Sequence, residues 1–581
     1  MRRRKPGVSE STSGRQDASL RSPPHMKSTS RAEPTKASLL GTRKGFVLAV
    51  FVLACGRGLS AAFNIIHDCD ETYNYWEPLH YLLYGKGFQT WEYSPEFALR
   101  SYLYIIIHYV FAKPLSMMGI VVGGSTKLGV FYGMRCLFGL VSALTEGYLV
   151  YALGKSKRAP EGWATLCFLA TSGGMFISST SFLPGTFSMY FFTVATAGVL
   201  LGNRNALVIA SCAASVILGW SVTAIAAVPY AVWVLATGNF GKSLSVAVVS
   251  AGSMLLGTFV FDSYFYGKYA LSLYSFLSYN VFGSGDSALY GVENSTYYFR
   301  NGLNTLNVLL PLSLVAPLLL VLRLCFSNSK RAAGNFFAAC SPQWLWILAI
   351  TLLPHKEERF LYVVYPQIIL AAAYTVVQVG NIVAQVAGKH QDLLRSGVFA
   401  GALAVTTALS ASRVGALLWN YDANLKIYLG LSNPAETPQP CVVCVGSEWY
   451  EFPSSFFVPQ NCEMNFVKSD FDGVLPAQFD SALGGTRYGA SYLNDRNEAH
   501  DLQFMSDESK CTYLVSLKYD GELLPKKQDE RLWVENKWET ARELPYVQSA
   551  SSPALYRALY IPFVSAKKLV YNYYVLYRSK T

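Results

Sequence analysis

The sequence predicts a polytopic α-helical membrane protein that carries a small polar domain at its C-terminal end. Hydrophobic residues make up 52% of the 581 residues, and charged residues make up 15%. Soluble domains contain about 25% charged residues. The apolar residues form runs close to the ~20 residues that a helix needs to cross a bilayer, whereas residues 421–581 are polar and rich in turn residues. These three observations predict the fold class and the division of the chain.

Apolar runs bounded by polar residues predict about eleven membrane-spanning helices. They are expected at residues 45–66, 127–152, 161–179, 184–201, 205–220, 222–238, 242–262, 304–323, 335–353, 360–380 and 397–419. The apolar stretch 101–120 contains His108, Lys113 and Pro114, and we expect it to lie in the membrane interface as an amphipathic helix. The count at 205–238 stays open, because one long helix or two short ones fit this stretch.

Positive charge predicts the orientation of these helices. Residues 1–44 contain eleven basic and three acidic residues and are rich in Ser, Thr and Pro, which predicts a disordered cytosolic arm. If the stretch 101–120 does not cross the membrane, the basic loops that follow it also lie on the cytosolic side, as the positive-inside rule requires. The net charge of +11 therefore reflects topology, and no nucleic-acid partner is expected. The segments predicted to share the opposite side are 67–126, 263–303, 354–359 and 420–581.

The C-terminal segment 421–581 is predicted to be a small α/β or mostly β domain, following a transmembrane domain at 45–420. Strand-like patches occur at 441–445 and 511–515, and turn residues at 433–434 and 520–521. On an oxidising side of the membrane, one or two disulfides are expected, with the pairing open. A Cys-x-x-Cys pair without a second close pair is a weak indication of zinc. The four cysteines are Cys441, Cys444, Cys462 and Cys511.

An acidic cluster, His-Asp-Cys-Asp-Glu at 67–71, follows the first predicted helix. Carboxylates at a membrane exit are costly to bury and often functional. One of them in a water-accessible pocket is able to take a proton from a sugar hydroxyl. A solvated loop with ordinary acids fits the cluster equally well when it is taken alone. The candidate acids are Asp68, Asp70 and Glu71.

The rest of the first non-cytosolic loop alternates aromatic and charged residues, as a sugar site requires. Aromatic rings stack on the apolar face of a sugar, and carboxylates bind its hydroxyls. An aromatic belt at the membrane surface would explain Trp76 and Trp91 but not the acids and the histidine between them. The candidate sugar contacts in this loop are Trp76, Glu77, His80, Trp91, Glu92, Tyr93 and Arg100.

A second charged segment, Pro-His-Lys-Glu-Glu-Arg at 354–359, connects two predicted spans. His355, Lys356 and Arg359 suit a phosphate at headgroup depth, because arginine chelates it and lysine acts as a point charge. A hydrated turn with compensating charges is the alternative. Three further candidates lie near the same membrane face: Asp262 and Glu293 as sugar contacts, and Asn294 of an Asn-Ser-Thr glycosylation sequon.

Taken together, these motifs resemble the family-22 mannosyltransferases of GT-C type, which use dolichyl-phosphate-mannose in the endoplasmic reticulum. The resemblance covers roughly residues 45–560 and rests on motifs at 67–78, 90–93, 262–268 and 355–360. The segment Glu-Trp-Tyr-Glu-Phe-Pro-Ser-Ser-Phe at 448–456 resembles the α-1,2-specific branch that acts in asparagine-linked glycosylation. One departure is that Asn294-Ser295 stands where relatives tend to have a Pro-Trp-like pair, which weakens the carry-over of acceptor contacts there.

The resemblance implies an inverting transfer of mannose in the endoplasmic reticulum membrane, with a luminal active site. The donor would be dolichyl-phosphate-mannose, and the acceptors would be dolichyl-diphosphate-linked oligosaccharides with six and eight mannoses. Asp70 is the first candidate for the base, Glu71 the second and Asp68 the third. Cations of the protein would stabilise the leaving phosphate, so no metal or other cofactor is expected.

Other functions remain open at this point. Within the enzyme class, an α-1,6-mannosyltransferase of the same pathway or a GPI-anchor mannosyltransferase is the nearest alternative. Outside it, a membrane transporter or a structural subunit is the alternative, although a transporter would place charged pairs or broken helices at mid-membrane. Membrane lipids of the endoplasmic reticulum are expected partners, and the oligomeric state is not predicted.

Overall fold

The computed structural model describes residues 38–283, 289, 291–326, 329–386, 390–431, 440–518 and 537–580. Most of the predicted basic arm at 1–44 and the predicted turns at 433–434 and 520–521 lie outside these residues.

In chain order the helices are α1 (Arg43–Phe63), α2 (Cys69–Glu71), α3 (Glu77–Tyr84), α4 (Tyr102–Met118), α5 (Thr126–Lys155), α6 (Ala159–Thr171), α7 (Gly173–Ser178), α8 (Pro184–Leu201), α9 (Asn205–Ala214), α10 (Ala224–Thr237), α11 (Phe240–Tyr266), α12 (Ser272–Leu277), α13 (Tyr297–Leu306), α14 (Leu309–Phe326), α15 (Lys330–Leu352), α16 (Tyr365–Val386), α17 (Gln391–Asn420), α18 (Ala423–Tyr428), α19 (Ala554–Ala558) and α20 (Ser565–Lys568).

Eight apolar segments of the described chain are long enough to cross a membrane, which confirms a polytopic helical membrane protein. They are built on α1, α5, α8, α11, α14, α15, α16 and α17, and each overlaps one of the predicted spans. The other three predicted spans are shorter or broken. The span expected at 161–179 is interrupted at Ser172, between α6 and α7. The stretch 205–238 contains two short apolar helices, Asn205–Gly219 and Ser221–Thr237, rather than one long helix.

The stretch predicted to be interfacial forms α4, which has 17 residues and is shorter than the ~20 residues of a typical span. Its start is well capped, because the Ser101 hydroxyl accepts a hydrogen bond from the Leu103 amide at 3.2 Å. Gly119 ends the helix in the left-handed conformation. Its place in the membrane interface remains a prediction.

Helices α1 and α5 pack closely and set the position of the loop that follows α1. A Cβ atom on Gly154 would lie 2.3 Å from the amide nitrogen of Gly41, so the close approach requires glycine there. Deeper in the pair, the Arg57 guanidinium contacts the Glu146 carboxylate at 2.5 Å and the Leu169 carbonyl oxygen of α6 at 2.9 Å. This buried ion pair and its hydrogen bond link α1, α5 and α6. They hold in place the helix that the acidic cluster follows.

The C-terminal domain contains a mixed five-stranded sheet with the strand order β3-β2-β5-β7-β6. Strands β3, β2 and β5 are parallel, and β7 is antiparallel to both β5 and β6. The strands of the molecule are β1 (Phe88–Gln89), β2 (Cys441–Val445), β3 (Cys462–Phe466), β4 (Ala477–Gln478), β5 (Tyr513–Lys518), β6 (Trp538–Val547) and β7 (Tyr571–Ser579). The small sheet domain agrees with the sequence prediction.

Two disulfides link the parallel part of this sheet. Cys441 bonds Cys462 on the neighbouring strand, and Cys444 bonds Cys511 just before β5. All four cysteines of the domain are therefore oxidised, which rules out the Cys-x-x-Cys pair as a zinc site in this state. Such cross-links stabilise a small domain mainly by restricting its unfolded chain.

The C-terminal domain and the first loop are joined by direct contacts. Strand β1 of the loop pairs with β4 of the domain, with Phe88 opposite Gln478. The Tyr73 hydroxyl donates to the Trp449 carbonyl oxygen at 2.7 Å, and the Thr72 hydroxyl donates to the Phe452 carbonyl oxygen at 3.1 Å. The domain therefore covers the loop that carries the acidic cluster and forms one side of the site below.

Candidate active site

The acidic cluster and the cationic connection, which are far apart in sequence, meet at the guanidinium of Arg359. Arg359 Nη2 lies 2.6 Å from Asp70 Oδ2, and Arg359 Nε lies 3.1 Å from Asp68 Oδ2. The short helix α2 arranges the two acids, because Asp68 caps it and accepts the Asp70 amide at 2.8 Å. One arginine therefore contacts two carboxylates at once.

Glu357 is a third carboxylate on the same guanidinium, and sequence reasoning did not include it among the site residues. Its carboxylate contacts Arg359 Nε and accepts a 2.9 Å hydrogen bond at Oε1 from His355 Nε2. Burial opposes the ionisation of Glu357, but Arg359 and His355 outweigh it and hold its pKa at about 2. The hydrogen bond to Glu357 raises the pKa of His355. The alternation of His355, Glu357 and Arg359 in the sequence was the available signal.

Arg100 is a second cation beside the acidic cluster, rather than a remote sugar contact. Its Nη2 lies 2.8 Å from Glu92 Oε1 and 3.8 Å from Asp70 Oδ2, and its Nη1 donates to the Tyr75 hydroxyl at 2.8 Å. The Asn74 amide holds the other oxygen of Glu92 at 2.8 Å. Glu92 therefore orients Arg100, and Asp70 lies between two guanidinium groups.

Asp68 and Asp70 differ in their surroundings although both meet Arg359. Burial raises the pKa of Asp68 to about 7, against the opposing effect of Arg359. Both Asp68 oxygens have partners, namely the Asp70 amide and Arg359. The Asp70 side chain is 30% exposed, and among the described residues its Oδ1 has no hydrogen bond or ion pair. Asp70 therefore keeps one oxygen available for a substrate.

Glu71, predicted as a second acid, and Trp76, predicted as a sugar contact, both anchor the loop, although Glu71 also lines the larger cavity described below. Glu71 is 3% exposed, and its Oε1 accepts hydrogen bonds from Trp76 Nε1 at 3.1 Å and from the Phe182 amide at 2.9 Å. Trp76 is fully buried, with its ring centroid 4.4 Å from that of Phe131. These contacts attach the loop to the segment before α8 and leave no ring face for a sugar.

Glu77 and His80 are likewise buried, which corrects their prediction as sugar contacts. Glu77 Oε1 accepts from the Ser454 hydroxyl at 2.8 Å and the Ser455 amide at 2.6 Å, and Oε2 accepts from the Phe88 amide at 3.1 Å. His80 Nε2 lies 3.1 Å from Lys127 Nζ at the start of α5. The loop and the C-terminal domain are joined through these groups.

Asp262 and the two remaining aromatic candidates also serve packing. Asp262 is fully buried and accepts hydrogen bonds from the Ser101 hydroxyl at 2.9 Å, the Tyr102 amide at 2.9 Å and the Ser272 amide at 3.1 Å. It therefore caps α4 and α12 rather than contacting a sugar. Trp91 packs on Phe97 and Tyr279, and Tyr93 is fully buried against Tyr102.

The remaining predicted site residues are Lys356, which is buried, and Glu293 and Asn294, which are exposed. Lys356 is 6% exposed and donates to the carbonyl oxygens of Glu293, at 2.7 Å, and of Leu353. These hydrogen bonds fix the connection, and Lys356 also lines the larger cavity described below, so its role in binding a phosphate stays a prediction. The Glu293 carboxylate is exposed and lies 3.6 Å from Arg300. Asn294 is exposed, as a glycosylation acceptor must be, and its modification remains a prediction.

Two cavities adjoin the cluster. The larger, of about 590 Å³, is lined by residues of the acidic cluster, the 355–359 connection and the C-terminal domain. The smaller, of about 70 Å³, is lined by mainly apolar residues together with Tyr75 and Arg100. Asp70 itself lines neither cavity, but it contacts Arg359, which lines the larger one, and Arg100, which lines the smaller one.

Asp68, Cys69 and Asp70 bring three potential metal ligands within 4.8 Å of one another. Both carboxylates, however, face Arg359. The guanidinium supplies the positive charge that a metal ion would otherwise bring to this pair.

Comparison with known proteins gives the family of the chain and relatives along nearly its whole length. Residues 48–459 match the Alg9-like mannosyltransferase family. The chain is 35% identical to the alpha-1,2-mannosyltransferase ALG9 of Arabidopsis thaliana, over 99% of this chain and 98% of the relative. It is 34% identical to the Homo sapiens ALG9, over 90% and 87%, and 31% identical to that of Saccharomyces cerevisiae, over 87% and 90%. The GPI mannosyltransferase 3 of Candida albicans is 25% identical over 57% of this chain.

Among solved structures, ArnT from Cupriavidus metallidurans in the apo state has a TM-score of 0.51 and 14% identity, and the alignment covers 82% of this chain and 92% of ArnT. This likeness shows a shared GT-C membrane fold. Neither a transporter nor a non-catalytic subunit fits the family match. The long match to the family, supported by identity along nearly the whole chain, shows that this membrane protein belongs to the Alg9-like mannosyltransferases.

Proposed function

We propose that the protein is an inverting α-1,2-mannosyltransferase of the endoplasmic reticulum membrane with a luminal active site. It moves mannose from dolichyl-phosphate-mannose to a dolichyl-diphosphate-linked oligosaccharide that carries six or eight mannoses. The observation that carries the proposal is Asp70, which lies between Arg359 and Arg100, two arginines that line different cavities. The relatives with the longest matches carry the α-1,2-mannosyltransferase name, which supports the linkage.

In this mechanism Asp70 is the base. The carboxylate takes the proton from the 2-hydroxyl of the acceptor mannose, and the resulting oxygen nucleophile attacks C1 of the donor mannose. The bond between C1 and the phosphate oxygen breaks, and configuration at C1 inverts from β to α. Because Arg359 holds Oδ2 at 2.6 Å, the other oxygen of Asp70 is fixed in position for the proton transfer.

The leaving group is dolichyl phosphate, which takes the electron pair of the broken bond. Arg359 and Arg100 lie on either side of Asp70 and are placed to stabilise this negative charge as it develops. His355 adds a third cation when protonated, and Glu357 holds it beside Arg359. In this arrangement the polyprenyl chain enters from the smaller, apolar cavity and the oligosaccharide from the larger one.

Phosphate binding adds an anion to a guanidinium that already meets three carboxylates. Protonation of Asp68, whose pKa is about 7, removes one of these negative charges. We therefore infer that donor binding and protonation of Asp68 favour each other. Asp70 acts as the base, so the two neighbouring acids have different roles.

The proposal includes no metal ion, because Arg359 already bridges the two carboxylates that would bind one. Mannosyl transfer by the purified protein is expected to persist in EDTA. Loss of activity in EDTA, followed by recovery on adding manganese, would contradict this part of the mechanism.

The direct test is mannosyl transfer by the full-length protein in detergent, with synthetic donor and acceptor. The product linkage is then determined by NMR and by digestion with a linkage-specific α-mannosidase. An α-1,2 product is expected, whereas an α-1,6 product or transfer to a GPI precursor would replace the proposal. In cells that lack the protein, a lipid-linked intermediate with six mannoses is expected to accumulate, and an unchanged profile would count against the proposed pathway.

A further inference from the structure

The C-terminal domain lines one side of the larger cavity with residues that the transfer mechanism does not use. This side consists of the turn at 450–453 and of Asn424 and Leu425 on α18. Residues of the acidic cluster and of the 355–359 connection line the same cavity. A cavity of about 590 Å³ lies within the ~300–1,000 Å³ range of drug-sized ligand sites, so it offers more room than one reacting sugar ring needs.

Tyr450 is the large aromatic side chain that this side exposes. It is 50% exposed, whereas Phe452 two residues later is 1% exposed and Glu448 two residues earlier is 6% exposed. An exposed ring on a cavity wall offers an apolar face rimmed by a hydroxyl, which suits the C–H-rich face of a pyranose. Glu448 and Phe452 are buried in the domain, so Tyr450 is the member of this turn that is presented to a ligand.

The turn that carries Tyr450 is held in place from three directions. Glu451 Oε2 accepts from Asn424 Nδ2 at 2.5 Å, and Glu451 Oε1 accepts from the Tyr546 hydroxyl of β6 at 2.9 Å. The Trp449 carbonyl oxygen accepts from the Tyr73 hydroxyl of the first loop at 2.7 Å. Such anchoring reduces the entropy that a binding surface loses when a ligand docks, so the position of Tyr450 is pre-organised.

Glu358 supplies a polar group to the same cavity from the membrane domain. Its Oε1 is buried and has no hydrogen-bond partner among the described residues. A buried polar atom without a partner is costly. A sugar hydroxyl entering the cavity would satisfy it.

We propose that Tyr450 and Glu358 form a subsite for an acceptor mannose other than the one that reacts. The ring of Tyr450 stacks on this sugar, and Glu358 accepts a hydrogen bond from one of its hydroxyls. This subsite rests on the proposed function, since it binds a second residue of the same oligosaccharide. The C-terminal domain thereby contributes to acceptor selection, while the cluster around Arg359 performs the transfer.

Steady-state kinetics with two acceptors tests the subsite. One acceptor is the full lipid-linked oligosaccharide, and the other is a synthetic lipid-linked single mannose that lacks the remaining sugars. Tyr450→Ala is expected to raise KM for the full acceptor roughly tenfold, the change produced by about 1.4 kcal/mol of lost binding. The kcat and the KM for the donor stay near wild type, and the variant equals wild type on the short acceptor.

Glu358→Gln is a second, independent variant in the membrane-domain part of the cavity lining, and it is expected to raise the same KM. Tyr450→Phe keeps the ring and should retain wild-type KM. Tyr269→Ala is the matched control, because Tyr269 is 91% exposed and does not line the larger cavity. Thermal unfolding of each variant is measured alongside to verify folding.

The outcomes separate the subsite from the proposed function. If the wild-type protein transfers no mannose to either acceptor, the proposed function fails. If the wild-type protein is active but Tyr450→Ala and Glu358→Gln leave KM for the full acceptor unchanged, the subsite alone is wrong. An equal loss on both acceptors would assign these residues to the reacting sugar and would also overturn the subsite.

Discussion

The carboxylates around Arg359 differ in their partners from the carboxylates that anchor the first loop. Asp68, Asp70 and Glu357 meet a guanidinium, and their side chains are 22%, 30% and 25% exposed. A second group, Glu71, Glu77 and Asp262, is at most 3% exposed and is held by backbone amides and neutral side-chain donors. Charged partners beside a cavity leave a carboxylate able to exchange its contacts with a substrate, whereas neutral buried donors fix it in the architecture.

The largest effect is expected from Asp70→Asn. Asparagine keeps the size of the side chain but cannot accept the proton of the acceptor hydroxyl. A general base typically contributes about 10²–10⁴-fold to the rate, so we expect kcat to fall by a factor in that range. Mannosyl transfer by the purified variant measures it, with thermal unfolding at the wild-type temperature showing that the fold is intact.

Asp392→Asn is the matched control for this prediction. Asp392 is 97% exposed and pairs with Arg395 on the surface, so activity should stay at the wild-type level. If Asp70→Asn turned over like wild type, the base would lie elsewhere, and Asp68 would be the next candidate.

Arg359→Lys is expected to cause the second-largest fall in kcat. Lysine preserves the charge but cannot contact Asp68 and Asp70 together through two nitrogens. Losing one stabiliser of developing charge commonly costs about 10²–10³-fold in kcat. Arg395→Lys, at an exposed pair, should be silent in the same assay. Near-normal kcat for Arg359→Lys would mean that the guanidinium geometry is not used in the transition state.

The sequence predicted the membrane fold and the meeting of the two charged segments well. Hydrophobic runs located eight long helices because span length follows directly from bilayer thickness. The charge distribution assigned the acidic cluster and the 354–359 connection to one side, and the structure brings Asp70 and Arg359 within 2.6 Å. The sheet domain and the oxidised cysteines were also expected, although the pairing was not.

The sequence could not separate site residues from anchoring residues in the first loop. Glu77 and Glu92 each precede or follow an aromatic residue, yet Glu77 bonds Ser454 and Ser455 whereas Glu92 orients Arg100. The difference arises because a domain nearly 400 residues away docks on one face of the loop. No local pattern encodes that docking, so Trp76 and His80 resembled sugar contacts although they are core residues.

Asp68→Asn is expected to have a smaller effect, visible mainly in its pH dependence. The pKa of Asp68 is raised by burial to about 7, so the group is protonated below this pH and ionised above it. Donor binding to Arg359 should therefore weaken as pH rises through 7, with KM for the donor increasing by up to about tenfold per pH unit. Asparagine imitates the protonated acid and should keep KM low above pH 7.

The measurement is KM for the donor between pH 6 and 8, at saturating acceptor. The hydrogen bond to Glu357 raises the pKa of His355, and His355 is a second titratable group beside Arg359, so His355→Gln is measured to separate the two titrations. A donor KM that rises with pH equally in wild type and Asp68→Asn would show that Asp68 is not the linked group. A collapse of kcat in Asp68→Asn would assign it the role of the base.

The smallest effect on catalysis is expected from Glu77→Gln, although it should lower stability. An amide NH₂ in place of one carboxylate oxygen would face the donors of Ser455 or Phe88, leaving buried donors unpaired at about 1–3 kcal/mol. The thermal unfolding temperature should fall while kcat below the transition changes little. Glu463→Gln is the control, because its exposed pair with Lys86 contributes at most about 1 kcal/mol. A large loss of kcat at unchanged stability would move Glu77 from the anchoring carboxylates to the catalytic ones, and would show that neutral partners and complete burial do not exclude a direct role in transfer.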